Sequence, residues 1–194
     1  MEIIKVFYDL ETTGLNSKKH SIHRIAGIIE INDEVVEMFD INVRPHPRAE
    51  FDEGALRVCG KTRDELLSYP SMKESLREYK GILGKYIDPF NPKQKAWNVG
   101  YDIRRFDDNF LTKWFELCGD NFIMSWFWPD TIDVLVLASQ HLIQRRAGMP
   151  SFKLSVVAKE LGLLIDEDRI HEAGYDVHLT REVYRIVTGL QIEM

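Results

Sequence analysis

Two carboxylates at the end of an apolar run are the first side chains in this sequence that could do chemistry. Residues Ile3 to Gly14 read Ile-Ile-Lys-Val-Phe-Tyr-Asp-Leu-Glu-Thr-Thr-Gly, branched and aromatic types closed by a Thr-Thr-Gly turn, the pattern of a buried strand that stops at an edge. Side chains alternate faces along a strand, so Asp9 and Glu11 point the same way and Leu10 points into the opposite layer. Two acids on one face of an apolar strand repel each other and resist desolvation until a cation neutralises them, and the cation that suits them is a hard divalent metal. A lone Asp-x-Glu equally reads as a strand end that has reached water.

A third acid, Asp102, opens a stretch in which Phe106, Phe110, Leu111, Trp114 and Leu117 recur at helical intervals. On one helix Asp102 shares a stripe with Phe106 and Phe110 and is expected to look inward, whereas Asp107 and Asp108 are assigned to the solvated face. An inward acid needs a partner; the alternative is a carboxylate favoured at a helix N-terminus by the macrodipole. The last candidate is His171-Glu-Ala-Gly-Tyr-Asp176. Within one helix His171 and Asp176 would lie about 140° apart, so both reach one site only if His171 sits on a loop ahead of the helix, which Gly174 permits. A histidine so placed is a candidate general base with an unperturbed pKa of ~6.5, and otherwise a structural or exposed residue. The histidines at 20, 23, 46, 141 and 178 show no ligand spacing and are read as surface or packing residues.

The elements that must position these groups follow from patterning. The first strand is followed by a polar turn at Asn16 to His20, a second strand over Ile22 to Ile31, a tight Asn32-Asp33-Glu34 link and a third strand over Val35 to Val43, an antiparallel meander. Thr62-Arg-Asp-Glu starts a short helix, and Ser71-Met-Lys-Glu74 is a capping box opening a helix to about Ile87, ended by Pro89 and Pro92. Lys95 to Val99 reads as a fourth strand and Phe122 to Trp126 as a fifth, with Gly119 closing the helix between them. Helices are expected near Ile132 to Ile143, Ser155 to Leu161 and Tyr175 to Leu190. With strands early, helices later and neither repeat nor linker, this is an α/β layer architecture in one domain, residues 1–194.

Composition limits the partners. At 194 residues and 44% hydrophobic content the chain can bury a proper core. The opening apolar run is short, β-branched and interrupted by Lys5 and Asp9, so it does not read as an export signal; no stretch approaches a membrane span, and a cytoplasmic protein without a membrane partner is expected. Cys59 and Cys118 lack zinc or redox spacing and are read as reduced. A net charge of −6 counts against broad phosphate contact. Yet if four of the 31 acids form a metal site, the others nearly cancel the 25 Lys and Arg, and bound cations would attract phosphate there.

Three segments together resemble one family. Phe7-Tyr-Asp-Leu-Glu-Thr-Thr-Gly-Leu15, Asn98-Val-Gly-Tyr-Asp102 and His171-Glu-Ala-Gly-Tyr-Asp176 are similar, in this order and at these separations, to the three motifs of the DEDDh 3′→5′ exonucleases, the DnaQ-like group that includes polymerase proofreading subunits. Ala55 to Leu66 resembles the segment ahead of the family's second motif. The resemblance implies a ribonuclease-H-like three-layer fold, a five-stranded mixed sheet flanked by helices with the site at the end of the first strand. It assigns Asp9, Glu11, Asp102 and Asp176 as metal ligands and His171 as general base. Thr12, Thr13 and Leu15 match residues that meet the terminal nucleotide, the leucine as a wedge, and Asn98 matches an asparagine before the second motif. Trp97 and Cys59 stand where histidines often occur in the family; altered packing or substrate contact is expected there.

An oxygen-only ligand set suits Mg²⁺ or Mn²⁺ and not zinc, and two such ions stabilise the attacking and leaving oxygens of an in-line phosphoryl displacement. The expected reaction is removal of nucleoside 5′-monophosphates from a 3′ end, with His171 taking the proton of the attacking water. Single-stranded DNA is the favoured substrate and a polymerase or repair protein a possible partner; RNA 3′ ends are the alternative within the enzyme class, and a catalytically silent binding module is the alternative outside it. Arg145-Arg146 through Lys153 is a candidate for backbone contact or a solvated loop.

Overall fold

The opening run forms the third of five strands, at the middle of the sheet, and its apolar side chains are buried on both faces. In the computed structural model, which describes residues 2–170 and 172–190, β1 (Ile4–Thr12) pairs antiparallel with β2 (Ile22–Ile31), and β2 pairs antiparallel with β3 (Glu34–Asn42). The β2–β3 link turns on Asn32 and Asp33 at φ 52° and 72°, the left-handed pair that a two-residue hairpin needs and that these two residue types tolerate. On its other edge β1 pairs parallel with β4 (Ala96–Gly100), which pairs parallel with β5 (Ile132–Asp133), giving the order β3-β2-β1-β4-β5.

The helices are α1 (Glu53–Cys59), α2 (Arg63–Leu67), α3 (Met72–Leu83), α4 (Asp107–Leu117), α5 (Val134–His141), α6 (Leu154–Glu160) and α7 (Ala173–Thr188). Capping boxes at Thr62–Glu65 and Ser71–Glu74 start α2 and α3 as the sequence implies. The alternation along β1 divides the core. Val6, Tyr8 and Leu10 pack with Tyr79 of α3 and Trp114 of α4, whereas Phe7 packs on the opposite face with Val134, Val157 and Val183 of α5 to α7. This is the expected three-layer arrangement of helices, mixed sheet and helices.

Three expectations shift. The second helix ends at Leu83, before Ile87, and Pro89 and Pro92 lie in the turn after it. Phe122 to Trp126 is not a strand: Ile123–Ser125 is a 3₁₀ turn, and Phe127 makes only an isolated bridge to Ala96. Pro129, which has no N–H for a ladder, follows directly, and the fifth strand forms later at Ile132–Asp133. The helix expected from Asp102 starts instead at Asp107.

Helix α7 is tied to the sheet by buried charge. Glu30 of β2, 1% exposed, lies 3.0 Å from Lys5 Nζ of β1 and 2.5 Å from Arg181 Nε of α7. Lys5 also bonds Asp33.

Candidate active site

Parallel pairing of β1 with β4 runs from Ile4–Ala96 to Phe7–Val99 and stops, so Asp9, Leu10 and Glu11 extend past the end of β4. A crevice outside the carboxyl ends of parallel strands is where α/β sheets bind ligands. Here the crevice is closed by the start of α4. The Leu10 N–H donates to Asp107 Oδ1 at 3.2 Å, and Asp107, 5% exposed, is the first residue of α4. Its neighbour Asp108 accepts from Tyr8 Oη at 2.8 Å, from Thr131 Oγ1 at 2.7 Å and from Asn98 Nδ2 at 3.5 Å, fixing the helix start to β1 and β4. Asp176, in the first turn of α7, approaches from the other helical layer.

The acids raise one another's proton affinity. Asp9 is pushed well above the carboxylate range by burial first, then by the charges of Asp107, Glu11 and Asp176, with Arg24 opposing. Glu11 is raised to about 7 by burial, against Arg24 and with Asp176. Burial lifts Asp107 to about 8, against the Leu10 N–H bond and with help from Asp108 and Asp102. Arg24 does not neutralise the group, because its guanidinium is engaged by Asp40 through bonds of 2.7 and 2.5 Å.

This geometry corrects the reading of the second motif. Asp102 lies on a turn at φ 56°, its side chain 44% exposed and 3.8 Å from Arg105 Nε, and its charge reaches the cluster by raising Asp107. The supposed solvated acids are the inward ones: Asp107 joins Asp9 and Glu11, and Asp108 anchors the helix. The sequence signal that marks them is an acidic doublet, Asp107-Asp108, at a helix N-terminus. Counting the helical stripe from Asp102, five residues before the helix begins, hides that signal.

The substrate candidates separate. Leu15 is 84% exposed beyond Gly14, where a Cβ would come within 2.5 Å of the His20 ring; His20 is thus a packing residue. Thr12 Oγ1 donates to the Gly14 carbonyl at 2.8 Å. Thr13 is fully buried, its hydroxyl donating to Glu50 O and accepting from Ser21 N–H, so the hydroxyl is engaged within the protein. Asn98 is 7% exposed and faces Asp108. His171 falls outside the described residues. A cleft of about 580 Å³ runs beside Glu11, with Arg24, Cys59, Lys61 and Tyr69 in its wall and His23 behind. Cys59 therefore borders the cleft, while Trp97 packs on Trp128, ring centroids 6.1 Å apart.

The model of the RNase_T family, described as exonucleases, matches residues 6–184. The chain belongs to this exonuclease family. It is a DnaQ-like, DEDD-type 3′→5′ exonuclease chain by that membership, and it shares the ribonuclease-H-like fold of E. coli exonuclease I. A crystal structure of that enzyme with single-stranded DNA in a zinc-ion-bound form superposes with a TM-score of 0.76 at 22% identity over 98% of this chain and 41% of that one. Its complex with a dT13 oligonucleotide gives 0.76 at 22% over 97% and 42%. The PolC-type DNA polymerase III of Staphylococcus aureus is 27% identical over 180 residues, 92% of this exonuclease chain and 11% of the polymerase. The chain thus spans about a ninth of that relative. No helix among the described residues is long and apolar enough to cross a membrane.

Exonucleases of this family depend on divalent metal, and the donor set fits such an ion. Asp9, Glu11 and Asp107 offer carboxylate oxygens only, and burial raises the proton affinity of all three, a cost of holding charge that a bound cation would relieve. Among the described residues no three potential ligands stand close enough together to hold a metal as they are. The shared proton affinity is what marks the site.

Proposed function

We propose that this chain removes nucleoside 5′-monophosphates from the 3′ end of single-stranded DNA in the cytoplasm, working as one domain over residues 1–194. The observation that carries the reading is the convergence of Asp9, Glu11 and Asp107, with Asp176 opposite, at the carboxyl end of β1. These four acids are assigned as the ligands of two Mg²⁺ or Mn²⁺ ions, Asp107 standing in the role that the motif resemblance gives to Asp102. Two ions, when bound, stabilise the attacking and leaving oxygens of an in-line phosphoryl displacement.

The chain's own residues supply the rest. His171 is assigned as the general base that takes the proton of the attacking water, a role a neutral imidazole fills near its ~6.5 pKa. Leu15 is assigned as the wedge against the terminal base, on a loop held by His20 and by the buried hydroxyl of Thr13. Thr12 lies between that loop and the acids, and Asn98 acts through Asp108. DNA is favoured over RNA because the similar polymerase and exonuclease I structures are named for DNA; a replicative polymerase is the partner class this implies.

The deciding experiment is a time course on 5′-labelled DNA and RNA oligonucleotides with free and 3′-phosphorylated ends, with Mg²⁺ and with EDTA. Metal-dependent shortening by single nucleotides from free 3′ ends is expected, faster on DNA. Cutting of circular single-stranded DNA would overturn it, and no product at all would favour a silent binding module.

A further inference from the structure

We infer that Arg104 and Arg105 on the β4–α4 loop, together with Arg146 and Lys153 on the α5–α6 loop, form one basic rim that carries the phosphodiester backbone of the strand toward the acid cluster. The inference rests on the exonuclease reading above and adds the track to the site.

The two loops belong to different parts of the chain but are joined. Tyr101 Oη donates to the Phe152 carbonyl at 2.6 Å, and the Arg146 guanidinium lies 4.9 Å from the centre of the Phe152 ring. Tyr101 opens the turn that carries Arg104 and Arg105; Phe152 directly precedes Lys153. One hydrogen bond between neutral groups thus holds two cationic segments side by side.

The turn is also held rigid. Ile103 is fully buried, packed so close under Gly100 that a Cβ there would meet it at 2.6 Å. The Asp102 N–H donates to Asp133 Oδ1 at 3.1 Å, and the same carboxylate oxygen caps α5 through Leu135 N–H. Asp102 itself is kept at φ 56°, a conformation that costs a non-glycine residue free energy and persists only where surroundings over-determine it. With Ile103 drawn into the core, Arg104 and Arg105 are turned out to solvent immediately ahead of Asp107.

These cations are little used internally. Among the described residues Arg104 and Lys153 make no ion pair, and Arg105 has only the 3.8 Å approach to Asp102. Arg145, by contrast, is paired with Glu160 at 3.3 Å and is left out of the rim. Arginines on a pre-organised turn suit phosphate, which they meet with a planar fork of donors. A chain of net charge −6 needs such a local rim to hold a polyanion beside carboxylates.

The test uses the full chain with Mg²⁺ and a 20-nucleotide single strand, following kcat and KM between low and high KCl. Two double variants, Arg104→Gln with Arg105→Gln and Arg146→Gln with Lys153→Gln, are expected to raise KM roughly 2- to 30-fold with kcat retained, the range for two exposed ion pairs. The slope of log(kcat/KM) against log[KCl] should become shallower by about 1.4 for each pair, at ~0.7 for every single-strand phosphate no longer neutralised. Arg104→Lys with Arg105→Lys should recover the slope, which a merely structural role for the turn would not predict. Lys73→Gln with Arg77→Gln on α3 serves as the control and should leave KM and slope alone. An unchanged slope in either rim variant overturns the inference while wild-type nucleotide release still stands; absence of release by the wild type would instead remove the exonuclease reading.

Discussion

Asp107 completes the hydrogen bonding of the strand that carries Asp9 and Glu11: its Oδ1 accepts the Leu10 N–H at 3.2 Å, just past the last β1–β4 pair. One carboxylate thereby has two duties. It satisfies a backbone donor at the broken edge of a ladder, and it places a third carboxyl group beside two others.

These duties separate on substitution. Asp107→Asn keeps an oxygen acceptor for Leu10 and removes the charge, so the metal-free protein should be at least as stable while nucleotide release falls by ~10² or more, at least the loss seen when groups supporting a metal site are removed. Asp102→Asn should stay within several-fold of wild type. The check is parallel single-turnover measurement of both; equal damage from the two would return the second motif to Asp102.

Metal-free stability should depend on pH in a defined direction. Glu11 at about 7 and Asp107 at about 8 bind protons more tightly folded than unfolded, where carboxylates titrate near ~4. Their contribution is present below ~4 and is lost as pH rises through the folded values. His23 acts oppositely: burial, then Arg24, lowers it to about 4, so its contribution is lost as pH falls from ~6.5 toward 4. Between about pH 6.5 and 8 the acids dominate, and melting temperature in EDTA should fall. Mg²⁺ should reverse that fall, and Glu11→Gln should flatten it. A melting temperature that rises over this window in EDTA would contradict the shared-charge site.

Leu15 and Thr13 should behave as opposites. Leu15→Ala touches an exposed side chain and should leave melting unchanged while raising KM for oligonucleotides. Thr13→Val strands a buried N–H and leaves a part-buried carbonyl without its donor, and should cost about 1–3 kcal/mol of stability, with kcat/KM kept wherever the protein is folded. Denaturant titration combined with initial rates distinguishes them; a stable Thr13→Val with lost activity would restore Thr13 as a substrate contact.

Glu30→Gln should disturb the site from a distance. It leaves Lys5 and Arg181 facing each other without their shared carboxylate, a change of about 3–5 kcal/mol when one partner of a buried pair is removed. Since Arg181 and Asp176 share α7, activity should fall along with stability. Chemical denaturation and Mg²⁺ dependence of the rate measure the two effects; a fully stable variant would mean that the charges are solvated.

The strand acids are legible in the sequence because period-two alternation needs no tertiary information, and both capping boxes are legible because they are local. The second motif is not, because a helical stripe is only as good as its starting point. Nothing in Asp102-Ile-Arg-Arg-Phe106 announces that Ile103 will be drawn beneath Gly100 and the chain turned before the helix starts; that depends on the far side of the fold. The burial of Thr13 is hidden for the same reason, since the partners that engage its hydroxyl, Glu50 and Ser21, come from other segments. The fifth strand is expected too early because apolar content alone does not show that Pro129 interrupts the ladder.

The parallel pairing of β1 with β4 joins residue 4 to residue 96, and this sets when the site comes into being. During synthesis β1, β2 and β3 can pair as soon as they emerge, since their links are short, but a pairing across so many residues must wait and closes slowly. Asp9 and Glu11 are then in place on a meander that has neither Asp107 beside them nor Asp176 across from them. A nascent chain displays half of the acid cluster without its complement, and the cluster is complete only once α7 docks on the finished sheet.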